Sequence, residues 1–364
     1  MTLPPSPLVD QLDRIERARE ARRRRYLLED ERITLSHGSG GKASRNLIEG
    51  LLVPTLGHGV LNGCDDAAVL DLAGTGRVAF TTDSYVVSPL FFAGGDIGSL
   101  AVHGTINDLA TAGAVPIALS LALILEEGLE VAVLRRVLQS IQTAARAAGV
   151  PVVTGDTKVV NRGKADQLFI NTTGIGRVRN GVSLLATQIC PGDRVLLSGP
   201  VGDHGIAVML AREALEIEAD IQSDSAPLHE MAAALLDAAP LTRCLKDPTR
   251  GGMASCLNEI AQLAGLAIAI DQARVPVRAE VRAACEILGL DPLHIANEGK
   301  LVAIVPAAQA AAACAAMRAH PKGVDATIIG EVLDGPADMV IVRTDVGGSR
   351  VLDMLTGDPL PRIC

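Results

Sequence analysis

Residues 65–84, DDAAVLDLAGTGRVAFTTDS, contain two apolar runs on either side of a glycine-rich segment. Ala67–Leu72 and Val78–Thr82 are aliphatic and short, which is typical of β-strands, and the glycine-rich segment between them has the composition of a turn. Acidic residues stand at the ends of both runs. We therefore predict a pair of strands with carboxylates at their ends. The segments before and after this pair are interpreted as parts of the same fold.

Strand-like and helix-like segments alternate after this pair. Ile97–Ala112 has helical spacing with Asp96 as an N-cap, and Glu130–Ala148 is amphipathic. A second series of strands and helices opens after Arg179. The pattern predicts a mixed α/β (α+β) fold with two domains. The predicted units are a charged N-terminal extension (1–31), a first domain (32–178), a second domain (179–350) and a tail (351–364).

Composition excludes several classes of function. The formal charge of −9 and the aromatic content of 2% argue against binding of nucleic acid, which needs positive charge or stacking surfaces. No apolar run reaches the roughly 18–20 residues of a membrane span, and no secretory signal pattern is present. The seven cysteines include no CxxC pair. We expect reduced thiols, a cytoplasmic location and no membrane partner.

The segment His37–Lys42, HGSGGK, combines a tight turn with a cation. The glycines that permit the turn are Gly38, Gly40 and Gly41. Such a loop turns backbone N–H groups toward an anion, and Lys42 adds positive charge. Ser36 and Ala43 depart from the Walker A pattern. The alternatives are a phosphate site and an ordinary glycine-rich loop before a helix.

Acidic residues recur at the ends of apolar runs. They are Asp65, Asp66, Asp83, Asp108 and Asp156. Each one alone is typical of a turn or a cap. Together they predict an oxygen-rich site for Mg²⁺, which prefers carboxylates and substrate phosphates. Because buried, unpaired carboxylates are unfavourable, a metal or several cations should accompany them.

Three further positions are candidates for chemistry. Lys158 follows Gly155–Thr157 and is either a phosphate ligand or a surface lysine. Lys246–Met253 forms a polar turn into a helix, whose N-terminus favours anions. Glu298 precedes a predicted strand and is either a base or a turn carboxylate.

Cys364 is the last residue of the sequence, and Pro359 and Pro361 stand shortly before it. Proline fixes φ and lacks a donor, so we predict an extended tail without backbone pairing. A thiol on such an arm is able to enter and leave an active site with a bound group. The alternative is a terminal cysteine without a role.

These motifs resemble a known superfamily. The segments that carry the resemblance are His37–Lys42, Asp65–Val69, Thr81–Ser84, Asn107–Leu109 and Gly155–Lys158. They are similar to the ATP-binding superfamily of aminoimidazole ribonucleotide synthetase, selenophosphate synthetase and thiamine-monophosphate kinase. Pro89–Phe92, Gly94–Gly98, Lys246–Gly252 and the terminal Pro361–Cys364 further resemble the HypE family of hydrogenase maturation proteins, the carbamoyl dehydratases. The resemblance runs from about residue 33 to 364 and leaves out the charged extension.

The resemblance implies a homodimer whose N-terminal domains form a dimer-spanning β-barrel, with ATP and Mg²⁺ in a cleft between the domains. It also implies a reaction on the terminal thiol. A partner carbamoyltransferase, HypF, places a carboxamide on Cys364, and ATP-dependent dehydration converts it to a thiocyanate. The cyano group then passes to iron held by the HypC–HypD pair, for NiFe-hydrogenase.

The resemblance also implies roles for single residues. Cys364 is the carrier, Glu298 the base, Lys158 a contact of the transferring phosphate or the carbamoyl oxygen, and His37 a further catalytic candidate. The implied nucleotide contacts are Gly38, Gly40, Gly41, Lys42, Asp83, Asn107, Asp108, Gly155, Asp156, Thr157, Asp247 and Arg250. The implied metal ligands are Asp65, Asp66, Asp83, Asp108 and Asp156.

Two other functions fit the sequence. One is an ATP-dependent kinase or ligase for a small soluble substrate, in which Cys364 is incidental. The other is a nucleotide-binding scaffold that recruits maturation partners without turnover. The dense mixed charge of residues 1–31 further suggests a helix for docking a partner.

Overall fold

The computed structural model describes residues 26–56, 65–72, 76–212, 219–355, 357 and 362–364. The predicted docking helix at the N-terminus lies largely outside these residues, as do Pro359 and Pro361. None of the helices in these ranges is long and apolar enough to cross a membrane.

The first half of the chain builds a mixed five-stranded sheet. Its elements are α1 (Lys42–Leu47), α2 (Val53–Leu56), β1 (Ala68–Leu72), β2 (Gly76–Tyr85), the short pair β3 (Phe91–Phe92) and β4 (Gly95–Asp96), α3 (Ile97–Thr111), β5 (Ala114–Glu126), α4 (Val131–Ala147), β6 (Val152–Val160) and β7 (Leu168–Val178). The strand order is β1-β2-β7-β5-β6, antiparallel except for the parallel pair β5–β6. Within the described residues this sheet is open, with β1 and β6 at its edges, and does not close into a barrel.

Helix α3 covers one face of this sheet. Asp96 caps it by accepting hydrogen bonds from the N–H groups of Gly98 (2.7 Å) and Ser99 (3.1 Å), which confirms the predicted N-cap. The helix is rich in small residues and is buried along most of its length, because it packs against the sheet on one side and against the second half of the chain on the other. Asn107 and Asp108 therefore lie at the junction of the two halves.

The second half of the chain builds a seven-stranded sheet. Its elements are β8 (Arg194–Leu197), α5 (Asp203–Leu210), α6 (His229–Ala238), β9 (Cys244–Lys246), α7 (Gly252–Ala264), β10 (Ala267–Asp271), α8 (Ala279–Leu288), β11 (Val302–Val305), α9 (Ala307–Ala319), β12 (Thr327–Leu333), β13 (Met339–Arg343) and β14 (Ser349–Val351). The strand order is β14-β13-β10-β12-β8-β11-β9. Its central strands are aliphatic and almost completely buried, since helices pack against both faces.

One hydrophobic core joins the two halves. It contains Leu100 and Ile106 of α3, Ile206 of α5 and Val281 of α8, and Ile363 of the tail packs into it. Burial of an isoleucine side chain contributes roughly 1.5–3 kcal/mol relative to exposure. The end of the tail is therefore part of the folded protein.

Two expectations need correction. Asp156 was expected at the end of an apolar run, but β6 spans Val152–Val160, so Gly155–Lys158 lies inside a strand. The tail was predicted to lack backbone pairing, but residues 362–364 hydrogen bond to the chain that follows β2. A terminal residue has backbone groups of its own to satisfy, and the Pro-rich stretch before it does not remove them.

Candidate active site

The last residues of the chain lie against the segment after β2. The N–H of Val86 donates to the terminal carboxylate oxygen of Cys364 (3.1 Å), and the N–H of Ser88 donates to the carbonyl of Arg362 (3.2 Å). Ile363, between these two contacts, is 3% exposed. Residues 362–364 are thus docked by backbone hydrogen bonds on the segment that follows β2 in the first domain.

Side chains hold this segment from three sides. Arg362 donates Nε to the carbonyl of Val86 (3.0 Å) and pairs through Nη1 with Asp166 (2.5 Å). Arg212 donates to the carbonyl of Arg362 (2.9 Å), and Nε2 of His204 lies 2.9 Å from the carbonyl of Ile363. The docked position is therefore fixed by charge-assisted hydrogen bonds as well as by burial.

A cavity of about 120 Å³ opens beside Cys364. The glycine-rich loop Gly38–Gly41 and the turn Arg250–Gly251 form its walls. Gly40 has φ +78°, and a Cβ there would lie 2.7 Å from the backbone oxygen of Arg250, so only glycine allows this approach. The loop thus meets the second domain beside the thiol, with Arg250 donating to the carbonyl of Gly38 (3.1 Å).

Arg250 connects the cavity to a group of acids. The negative charge at Cys364 is the main influence that raises the pKa of Arg250, and Asp83 and Glu298 act in the same direction. The guanidinium therefore stands between the tail and the carboxylates, where it is placed to bind an anionic group.

Four carboxyl groups face one another at the junction of the domains. Asp83 and Asp108 come from β2 and α3, Asp66 precedes β1, and Asp247 follows β9. Burial, reinforced by the neighbouring carboxylates, raises the pKa of Asp108 well above its usual range, and burial with Asp66 raises that of Asp247 to about 8. Burial also raises the pKa of Asp83, although Tyr85 donates to that carboxylate (3.0 Å). Such a group requires a cation before all its members ionise.

These carboxyl groups fit Mg²⁺ only as an ion that is bound together with substrate phosphates. Among the residues described, no three His, Cys, Asp or Glu side chains are arranged to hold a metal ion. Mg²⁺, however, keeps several waters and takes one or two carboxylates together with substrate phosphates. Burial raises the pKa of both Asp83 and Asp108, and the neighbouring carboxylates add to this at Asp108, so a cation arriving with a nucleotide would favour their ionised forms.

Glu298 lies beside these acids with a free acceptor. Its side chain is 3% exposed, and its Oε1 has no hydrogen-bond partner. Burial, followed by the charges of Asp247 and Asp224, raises the pKa of Glu298 well above its usual range. Its backbone is clamped on both sides, because its N–H donates to Asp224 (3.0 Å) and its carbonyl accepts from Asn107 (3.2 Å).

Several predicted site residues take structural contacts. Asn107 bonds the backbone at Ala226, Leu228 and Glu298, so its amide positions the second domain. Lys42 pairs with Asp353 (2.6 Å) at the surface. His37 turns its ring to Thr34 and Asp30. Asp65 is solvent-exposed, unlike Asp66.

Asp156, Thr157 and Lys158 lie apart from the acids. The register of the sheet aligns Asp83 of β2 with Thr172 of β7. In the same row, Thr172 is aligned with Leu121 of β5, and Leu121 with Gly155 of β6. Three strand spacings separate Asp83 from this point, about 14 Å. Asp156 and Lys158 pair with each other (2.9 Å), are exposed, and share the outer face of the sheet with Ser84. A single chain therefore does not bring them to the acidic group.

The sequence reading missed three residues of the site. His204 and Arg212 hold the tail, and Lys246 pairs with Asp66 and with Glu259 (3.1 Å). Lys246 was seen only as part of its turn. Nothing in the sequence separates His204 from other histidines on a helix, because its partner lies 159 residues away.

A larger cavity of about 340 Å³ adjoins the acids at Asp66 and Lys246. Its other walls are mostly apolar and come from β1, the end of α3 and residues 182–186. A mostly apolar pocket of this size with charged groups at one end is typical of a small-molecule site.

Comparisons with known proteins agree with this geometry. Family models of the AIR synthase related protein match the chain, the N-terminal domain over residues 64–178 and the C-terminal domain over residues 190–343. The carbamoyl dehydratase HypE of Azotobacter vinelandii is 54% identical over 332 residues, 91% of this chain and 97% of that protein. A crystal structure of the hydrogenase maturation protein HypE in complex with ATP is similar with a TM-score of 0.77 and 47% identity, over 92% of this chain and 100% of the other. A HypE–HypF complex is similar with a TM-score of 0.81 and 44% identity, over 85% and 99% of the two chains.

Proposed function

The chain belongs to the AIR synthase related family and, within it, to the HypE carbamoyl dehydratases of hydrogenase maturation, and we propose that its substrate is a carboxamide on its own Cys364. The observation that supports this most strongly is the docked tail, which sets Cys364 in a cavity with Arg250, whose pKa is also raised by the charges of Asp83 and Glu298.

The proposed reaction turns an S-carboxamide into a thiocyanate. An amide oxygen is a poor leaving group, so the terminal phosphoryl group of ATP is transferred to it, and one N–H proton leaves with that step. The C–O bond then breaks, phosphate departs, and the second N–H proton leaves as the C≡N bond forms. The products are S-cyanate, ADP and phosphate.

The residues around the tail suit these steps. Arg250 binds the oxygen that gains negative charge, which is the main requirement of phosphoryl transfer. Glu298 accepts an N–H proton at its unpartnered oxygen once the positive charge of Arg250 and of a bound ion favours the carboxylate against burial, which raises its pKa. Mg²⁺, held by Asp66, Asp83, Asp108 or Asp247 together with phosphates, would neutralise phosphate charge.

The nucleotide is proposed to enter through the larger cavity. Its apolar walls suit a base, and its charged end at Asp66 and Lys246 leads to the acids around Asp83. A nucleotide in this position has its phosphates directed toward the junction where Arg250 and Cys364 lie. The HypE structure with bound ATP supports nucleotide binding at this fold.

We further propose a homodimer, in which the outer face of the five-stranded sheet packs on its partner copy to form a dimer-spanning barrel. That face carries Leu70, Phe80, Ile124 and Ile175, which are 39–43% exposed. Large exposed apolar side chains on one sheet face mark an interface. The second copy would then supply Asp156 and Lys158, which the chain itself keeps away from its own acids.

The partners follow from the substrate. A carbamoyltransferase, HypF, loads Cys364, and an iron-carrying HypC–HypD complex receives the cyano group. A HypE–HypF complex is among the similar structures. Loading and delivery require Cys364 to leave the cavity, so residues 362–364 are proposed to undock from the segment after β2.

Intact mass spectrometry tests the proposal. The protein is incubated with carbamoyl phosphate, ATP, Mg²⁺ and the carbamoyltransferase, alongside Cys364→Ala and the matched surface variant Cys190→Ala. We expect a carboxamide on the tail peptide of wild type and Cys190→Ala, which loses the mass of one water only with hydrolysable ATP. A carboxamide that persists would indicate a carrier or scaffold. No adduct would indicate a small-molecule kinase or ligase.

A further inference from the structure

His204 lies at the centre of the contacts between the tail and the second domain. Its side chain, on α5, is fully buried, and its Nε2 lies 2.9 Å from the carbonyl oxygen of Ile363. The ring of Phe92 packs edge-on against it, with centroids 5.5 Å apart. This is the one imidazole within the described residues that hydrogen bonds the tail segment 362–364.

The two ring nitrogens have fixed roles. A carbonyl oxygen only accepts, so Nε2 carries the proton and donates it to Ile363. In the neutral ring Nδ1 is then an acceptor, and it lies 2.8 Å from the hydroxyl of Ser223. Burial lowers the pKa of His204, which keeps this neutral form. Ser223 in turn accepts from the N–H of Ser225 (3.1 Å).

The loop that His204 contacts also holds Glu298. Asp224, next to Ser223, accepts the N–H of Glu298 (3.0 Å) and pairs with Lys300 (2.9 Å). The backbones are in close contact, because a Cβ on Gly299 would lie 1.8 Å from the carbonyl oxygen of Asp224. A shift of this loop therefore moves the backbone that presents the Glu298 carboxyl.

We propose that His204 is a positioning residue that couples docking of the tail to placement of Glu298 through the loop 223–226. This inference rests on the proposed function of Glu298. With the tail in place, the imidazole is held between Ile363 and Ser223, and the loop holds Glu298 where the carboxamide arrives. With the tail away, the buried Nε2–H loses its acceptor, and the ring and loop adjust together.

Two substitutions separate the two halves of the coupling. In His204→Gln, the side-chain amide nitrogen takes the place of Nε2 and keeps the bond to Ile363. In His204→Asn, the side-chain amide takes the place of Nδ1. It keeps the contact with Ser223 but loses the hydrogen bond to Ile363 of the tail. His320→Asn is the matched control, since His320 lies at the end of α9 against Glu230.

Tail docking is measured by digestion with a serine carboxypeptidase, followed by intact mass, since cleavage tracks the population of the open form. We expect His204→Asn to lose Cys364 about tenfold faster than wild type, and His204→Gln to match wild type. Equal rates for His204→Asn and wild type would overturn the docking role. This readout does not depend on dehydration, so it stands whether or not the proposed reaction is correct.

Coupling is measured by the single-turnover rate of dehydration of the S-carboxamide at saturating ATP. We expect His204→Gln to be about tenfold slower than wild type although its tail is docked, because a small displacement of Glu298 is costly to the reaction. The apparent ATP affinity should be unchanged. A His204→Gln enzyme as fast as wild type would overturn the coupling and leave His204 as a tail contact only.

Discussion

Arg250 and Cys364 line the same cavity, and the charge at Cys364 is the main cause of the raised pKa of Arg250. The two residues are 114 positions apart and come from the turn before α7 and from the end of the chain. The cavity that they share lies between the glycine-rich loop of the first domain and the turn before α7 of the second. Cys364, on which we propose that the carboxamide forms, therefore lies beside the Arg250 guanidinium, whose pKa is also raised by Asp83 and Glu298.

Replacing the base tests the role of Glu298. Glu298→Gln keeps the shape and the backbone bonds to Asp224 and Asn107 but removes the proton acceptor. We expect single-turnover dehydration to fall by about 10²–10⁴-fold, the usual contribution of a general base. The measurement is the mass of the tail peptide over time. Glu286→Gln, on the exposed side of α8, should match wild type. Dehydration by Glu298→Gln at the wild-type rate would remove the residue from the reaction.

Mixed dimers test whether Lys158 acts on the partner copy. Lys158→Ala and Cys364→Ala homodimers should both fail to form thiocyanate, the second for want of a thiol. A heterodimer of the two, purified with two tags, should regain activity, because the Cys364 of one copy faces the Lys158 of the other. Activity in the heterodimer is not expected if Lys158 serves its own chain, and an inactive heterodimer would contradict the trans arrangement.

The position of the larger cavity predicts which substitutions weaken ATP binding. Ser183 is exposed and lines this cavity, so Ser183→Phe narrows its mouth without changing the core. We expect weaker ATP binding by about tenfold or more in calorimetry, with an unchanged melting temperature without nucleotide. Gln188→Ala removes the neighbour of Ser183 but does not line the cavity, and it should bind as wild type. Equal affinities would place the nucleotide elsewhere.

The ion pairs of Glu259 with Lys246 and Arg45 predict that the free energy of unfolding falls at acid pH. Burial alone would raise the pKa of Glu259, but Lys246 and Arg45 outweigh it and lower the pKa to about 2. Because the folded pKa lies below the unfolded value, the stabilisation is present above about pH 4.3 and is lost as pH falls toward 2. The largest loss from this group is about 3 kcal/mol.

Urea unfolding at several pH values between these limits measures this loss. The Glu259→Gln protein should be less stable near neutral pH, with a flatter dependence on pH in the acid range. Glu280→Gln, an exposed glutamate at the start of α8, should follow wild type. Parallel pH curves for Glu259→Gln and wild type would contradict the assignment of the pKa.

Asp66, Asp83 and Asp108 of the acidic group were among the residues predicted from the sequence, but the position of Asp156 and Lys158 away from this group was not predicted. Asp83 and Asp108 stand next to apolar runs that lie in β2 and α3, so the local pattern gives the element of each acid, although both acids lie inside these elements and not after them. Asp156 has the same local pattern, yet β6 is an edge strand and turns that side chain to the outer face. Sequence periodicity does not specify which face of a sheet meets a second molecule.

The tail shows a second limit. Its prolines predicted an extended, unpaired arm, but residues 362–364 hydrogen bond to the backbone after β2 and Arg362 has a positive φ of +57°, while the prolines themselves lie outside the described residues. The contacts that fix it come from Val86, His204 and Arg212, all distant in sequence. Contacts between residues so far apart in the sequence can be identified only when the fold is known.

The central claim is that ATP removes the oxygen of a carboxamide on Cys364, and an isotope measurement tests it most directly. Cyanate adds to thiols to give the same S-carboxamide, so oxygen-18 cyanate labels the amide oxygen without the partner enzyme. After ATP and Mg²⁺ are added, we predict that oxygen-18 appears in inorganic phosphate as the tail peptide becomes a thiocyanate, and that Cys364→Ala releases none. Phosphate without the label, or label retained on the peptide while ATP is hydrolysed, would contradict the account.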